Sequence, residues 1–143
     1  MIDSFNPPDV WQPFGTFSMI ALQGEGQIVH LKGQVALDGA GNVVGAGNMR
    51  AQVRQVVENI RAVLAGIGGD MGDILSLTQY VTDISAFMQA GDIRREFFSP
   101  PYPVTTTIEV AALYRSELVV EIAAVAEIPR ARFKRPDPGN GSR

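Results

Sequence analysis

Between residues 27 and 37 apolar and polar residues alternate with a period of two. Val29, Leu31, Gly33, Val35 and Leu37 fall on one face of a predicted strand, with Ile28, His30, Lys32, Gln34 and Ala36 on the other. The same period recurs at 73–82, where Leu75, Leu77, Gln79 and Val81 oppose Ile74, Ser76, Thr78, Tyr80 and Thr82. It recurs twice more between the prolines at 103 and 129. There Val104, Thr106, Ile108 and Val110 alternate with Thr105, Thr107, Glu109 and Ala111, and Leu118, Val120, Ile122 and Ala124 alternate with Val119, Glu121, Ala123 and Val125. A polar turn at Tyr114–Glu117 is predicted to join these last two strands into a hairpin. A first strand is predicted over 17–23, after an extended, proline-rich lead-in at 1–13.

The period changes to that of a helix at 49–67. Val53, Val56, Val57, Ile60, Val63, Leu64 and Ile67 form one stripe, Asn48 stands at the N-cap, and Gly66, Gly68 and Gly69 end the run. A second helix is predicted over 85–98 with Phe87, Ala90, Ile93 and Phe97 inward, although Gly91 in its middle costs about 1 kcal/mol relative to alanine. Five strands and two helices predict an α+β domain, a mixed sheet with both helices on the Val29, Leu31 and Val35 face. The opposite face, expected to carry Ile28, His30, Lys32, Thr105, Thr107 and Glu121, has nothing left in the chain to cover it. Burial by further copies of the same chain is the expectation.

Length and composition bound what remains. The 143 residues suit one domain, predicted at 1–129, followed by a flexible basic tail at 130–143 that carries Arg130, Arg132, Lys134 and Arg135. Hydrophobic content of 45% with 19% charged residues marks a globular chain, and a net charge of −3 makes nucleic acid an unlikely partner. The absence of cysteine excludes disulfides and thiolate catalysis, and a single histidine excludes the usual zinc sites, so no metal or other cofactor is expected. The amino-terminal stretch lacks a basic-then-apolar leader pattern, and no apolar run approaches the ~18 residues of a membrane span. No membrane partner is expected, and a cytoplasmic location follows by default.

Three side chains invite chemical readings. Glu121 lies among Val and Ala, where a carboxylate must be desolvated, paired or directed into a cavity. General base and structural hydrogen-bond acceptor are both open readings. Lys32 is one of two lysines; a charge in a cleft, a partner for Glu121 and a solvated strand-edge residue are its alternatives. His30, on the same strand face, reads as an interface residue before an acid or base. The glycine-rich stretches lack the complete spacing of nucleotide loops and read as turns.

Pro103, Ile108, Glu109, Val110, Ala111 and Leu113, followed by Val120, Glu121, Ile122, Ala124 and Ala126, resemble the carboxy-terminal signature of the RidA/YjgF family of small imine deaminases. Upstream, Gly15, Phe17 and Ser18, Lys32-Gly33-Gln34, the helix residues Gln52, Asn59 and Leu64, then Thr82-Asp83-Ile84 and Phe97-Phe98 extend the resemblance over residues 15–128. It implies a homotrimer with clefts between subunits and a small imine or enamine as ligand. Glu121 then corresponds to the glutamate that activates water, and Phe17, Lys32, Gly33, Thr105 and Thr107 correspond to substrate-binding positions. Thr105 stands where the deaminases carry an arginine that grips a carboxylate, Thr107 where many carry cysteine, Phe17 in place of tyrosine, and Lys32 in place of serine. Two functions therefore remain open: hydrolysis of an imine or enamine that differs from the archetypal substrate, and non-catalytic small-molecule binding or regulation by a trimer of the same fold.

Overall fold

The computed structural model describes residues 2–136. Strand β1 (Asp3–Phe5) lies within the proline-rich lead-in and pairs antiparallel with β2 (Ile20–Leu22), as a ribbon apart from the main sheet. The expected strand at 17–23 is thus reduced to three residues. Ahead of it, Ser18 donates its backbone N–H to the Pro103 carbonyl at 2.9 Å, and Met19 donates to the Asn6 side chain at 2.9 Å.

Strand β3 (Gln27–Gln34) follows its predicted alternation only as far as Leu31, because a bulge interrupts the register between Leu31 and Gln34. An extra residue in one strand shifts every later side chain. Val35 and Ala36 are consequently both buried, and Ala36, expected on the mixed face, is fully enclosed.

Helix α1 (Met49–Ala65) is the element that covers the sheet. The Asn48 side chain accepts from the Ala51 N–H, and Val53, Val56, Ile60 and Leu64 are fully buried along one stripe. Gln52, also fully buried, donates to the carbonyls of Gly45 and Glu117 and accepts from the Val119 N–H, which fastens the helix to the segment entering the last strand.

Strand β4 (Ile74–Val81) buries Leu77, Gln79 and Val81 on its helix-facing side, as alternation predicts, but a register shift between Ile74 and Ser76 puts Ile74, expected on the mixed face, into the core as well. The single helix expected over 85–98 is two: α2 (Ile84–Met88) and α3 (Gly91–Phe97). Arg50 from α1 takes the Gln89 carbonyl at 3.1 Å and pairs at two points with Asp92 in the first turn of α3, which fixes the break next to Gly91.

Strands β5 (Val104–Glu109) and β6 (Val120–Ile128) do not form the predicted hairpin. The main sheet is ordered β3-β6-β4-β5; β4 lies between the last two strands, parallel to β5 and antiparallel to β6. Residues 110–119 cross over β4, a span too long for a two-residue hairpin loop and fixed by Gln52. Among the described residues the fold is thus α+β, a mixed sheet with three helices against one face. Residues 130–134, expected to begin a loose tail, are held in place. Arg132 pairs with Asp73 through two hydrogen bonds of 2.6 and 3.0 Å, and the Lys134 N–H reaches the Ile67 carbonyl. The remaining residues of the expected tail, 137–143, lie outside the described residues.

Candidate functional site

The pairing of β5 with β4 decides where the candidate side chains point. Thr105 is opposite Leu77 and Thr107 opposite Gln79, so both threonines share the helix-facing side with residues that are less than 5% exposed. Gln79 donates from its amide to the Thr107 hydroxyl at 2.9 Å. Glu121 is opposite Tyr80, one residue out of phase with Gln79, and so lies on the other side. The expectation that Thr105, Thr107 and Glu121 share the uncovered face is corrected here. It treated the two terminal strands as a hairpin, and the interposed β4 sets the phase of each independently.

The threonines open into a cavity of about 230 Å³ at the β5 edge of the sheet. Phe17 lines it, as do Trp11 and Phe14, the three rings packing on one another with centroids 5.3 to 5.9 Å apart. Phe87, Phe98 and Leu77 form the opposite wall, and Arg94 from α3 adds a guanidinium. That guanidinium lies 4.0 Å over the Phe87 ring and donates to the Phe87 carbonyl at 3.1 Å; burial, with Arg95 nearby, lowers its pKa below the usual arginine value.

Glu121 sits beside Gly33. A Cβ placed on Gly33 would stand 3.0 Å from the carboxyl carbon of Glu121 and 3.1 Å from its Cγ, and closer still to one carboxylate oxygen. Only glycine therefore leaves this carboxylate where it is. The side chain is half-buried, on a face where Ala123 and Val125 are half-buried as well and His30 is exposed. Lys32 is exposed and makes no ion pair with Glu121 among the described residues. With Gly33, Asp38 and Asn59 it borders a shallow depression separate from the aromatic cavity.

The sequence-predicted residues therefore fall in two separate places. Phe17, Thr105 and Thr107 are in the first, and Lys32, Gly33 and Glu121 are in or beside the second. Sequence reasoning missed Trp11, Phe14, Gln79 and Arg94. Gln79 carried a legible signal, a polar residue in register with Leu77 and Val81 on an otherwise apolar face. Arg94 carried none, since one arginine among twelve basic residues stands out only once the helix break turns it toward the cavity.

Comparison with known proteins is consistent across sequence and structure. The family model described as Endoribonuclease L-PSP matches residues 9–128. A RutC family protein of Pyrococcus horikoshii is 30% identical over 80% of this chain and 89% of its own length. A protein of Dermatophagoides farinae named 2-iminobutanoate/2-iminopropanoate deaminase is 31% identical over 82% of this chain and 89% of its own length. The crystal structure of a Yersinia pestis protein of unknown function from the conserved Rid family superposes with a TM-score of 0.78 at 30% identity, covering 89% of this chain and 98% of that one.

Proposed function

The chain belongs to the Endoribonuclease L-PSP family, also known as RidA/YjgF, and from that premise we propose that it hydrolyses a small imine or enamine in the cytoplasm, as a homotrimer whose clefts unite the two places as half-sites. The observation that carries this reading is the Glu121 carboxylate, held on the uncovered face next to a position that only glycine can occupy without displacing it. The similarity to a named imine deaminase supplies the reaction class.

In this reaction Glu121 accepts a proton from water as the water oxygen bonds to the imine carbon. The C=N π pair moves to nitrogen, which takes up a proton and gives a carbinolamine. The carbinolamine nitrogen then takes up a second proton, the hydroxyl proton is lost as the carbonyl re-forms, and the C–N bond breaks to release ammonia. The balance is imine plus water to carbonyl compound plus ammonia, with no oxidant or cofactor. Thr105, Thr107 and Phe17 of one copy would bind the body of the substrate against the Glu121, Gly33 and Lys32 half-site of another.

A second reading, a trimer that binds a small molecule without turning it over, is favoured by Thr105, whose hydroxyl supplies no charge at the position where the deaminases carry a carboxylate-gripping arginine. One experiment separates the two. Imines are generated in situ from a panel of amino acids by an amino-acid oxidase, and the unhydrolysed fraction is trapped as a semicarbazone. Wild-type protein is expected to lower the trapped fraction, and Glu121→Gln to slow hydrolysis about 100-fold or more. Equal trapping with and without protein for every imine would leave the binding reading in its place.

A further inference from the structure

Among the arginines of the helical layer, Arg94 is set apart by being half-buried and without a carboxylate partner among the described residues; Arg95, which also lacks an ion pair among them, is exposed. Arg50 and Arg54 each form two-point pairs, with Asp92 at 2.9 and 2.7 Å and with Glu96 at 3.1 and 2.9 Å. Arg61 pairs with Glu58. Arg94 makes no ion pair with a carboxylate among the described residues, although it is half-buried in an aromatic cavity; Asp92 acts on it only from a distance and is itself paired with Arg50.

Its position is nevertheless fixed, by the Phe87 ring beneath the guanidinium plane and by the one bond to the Phe87 carbonyl. Most of its five N–H donors are uncommitted, and a guanidinium stays protonated at neutral pH even where burial lowers its pKa. A positioned fork of donors beside apolar walls is the arrangement that recognises a carboxylate attached to an apolar body.

We infer that Arg94 binds the carboxylate of the ligand in this cavity, the apolar remainder of that ligand packing against Trp11, Phe14 and Phe17. The charge missing at Thr105 on the strand is thereby supplied from α3, across the same cavity. This narrows the substrate class to carboxylates with an apolar side group, and it rests on the proposed imine chemistry only for the identity of the reacting end.

The test uses equilibrium binding, so it is independent of turnover. Trp11 is the single tryptophan and lines the cavity, so its fluorescence reports occupancy. The full chain is titrated with 3-phenylpropanoate and with 3-phenylpropanamide, which share a shape and differ in charge. Wild-type protein is expected to prefer the acid by roughly tenfold or more. Arg94→Gln is expected to abolish that preference, and Arg61→Gln, whose partner Glu58 lies on α1 outside the cavity, to keep it. Should the glutamine variant fail to fold, Arg94→Lys keeps a charge on a similar stem and is expected to lose the preference by about threefold or more, since an ammonium makes no parallel pair of bonds. Glu121→Gln is expected to keep the preference while losing hydrolysis, which separates failure of this inference from failure of the proposed reaction. Wild-type protein that binds neither probe, or a preference for the acid that survives at full strength in the Arg94 variants, overturns the inference.

Discussion

The two faces of the four-stranded sheet are made by the same strands, residue by residue in alternation, and differ in what covers them. On the helix side Val81, Val120, Ile122 and Ala124 are no more than 2% exposed. On the other side Glu121, Ala123 and Val125 are half-buried, His30 and Thr106 are exposed, and Ile108 is 39% exposed. The first face is completed within one copy by α1 and the elements around it. The second holds Glu121, whose carboxylate stands against Gly33, and it gains a lid only if other copies supply one. The contrast also separates the half-sites, since the aromatic cavity opens at the edge of the finished face and Glu121 lies on the unfinished one.

Placing the same charge on each face of β6 tests this contrast with the largest expected effect. Ile122→Asp buries an uncompensated carboxylate under α1 and is expected to cost at least about 3 kcal/mol of unfolding free energy in urea. Val125→Asp is expected to leave far-ultraviolet circular dichroism intact and to appear as a monomer by light scattering, because its charge enters only the surface between copies. If both variants unfold alike, the second face is part of the subunit core. If Val125→Asp assembles as the wild type does, that face is not an interface.

A smaller effect sharpens the comparison at the end of the same strand. By alternation Glu127 belongs to the uncovered face with Glu121, yet it is 1% exposed, because the turn at Gly24 to Gly26 folds over it and donates two backbone N–H groups at 2.6 and 2.8 Å. Burial acts to raise its pKa, but the hydrogen bonds from Gly24 and Gly26 are among the contributions that outweigh burial, and the net shift is downward. A carboxyl whose pKa is lowered on folding stabilises the protein above the ordinary glutamate range, and that contribution is lost as pH falls through the range toward the lowered value. Glu127→Gln is therefore expected to flatten the decline of unfolding free energy on acidification. An unchanged slope would mean that Glu127 is not a source of that decline.

What the sequence disclosed follows the same division. Helix α1 was legible in detail because its cap and apolar stripe are local properties of consecutive residues, and β4 was legible from Leu77 onward, where its faces alternate, but not at Ile74, which a register shift turns into the core. The β5–β6 hairpin was not legible. Two alternating runs joined by polar residues look alike whether they pair with each other or flank a third strand, and the long-range choice rests on Gln52 and β4. That error carried Thr105 and Thr107 to the wrong face. The β3 bulge and the helix break at Gly91 were hidden for a related reason: the first reads in sequence as one more alternating residue, and the second depends on Arg50 reaching across from another helix. Glu121 stood out from its apolar neighbours, while Arg94 became visible only through its position against Phe87.

The central claim is that the half-site of Glu121 and the half-site of Thr105 and Thr107 act together although one copy holds them on opposite faces. Subunit mixing tests it directly. Glu121→Gln and the double variant Thr105→Val/Thr107→Val, each inactive alone, are unfolded together and refolded, and hydrolysis of the in situ imine is followed. Random assembly of three copies would restore both wild-type halves in about a quarter of the sites, and activity is expected to recover in that proportion. Activity of the mixture no greater than that of the two variants refolded separately would contradict the account.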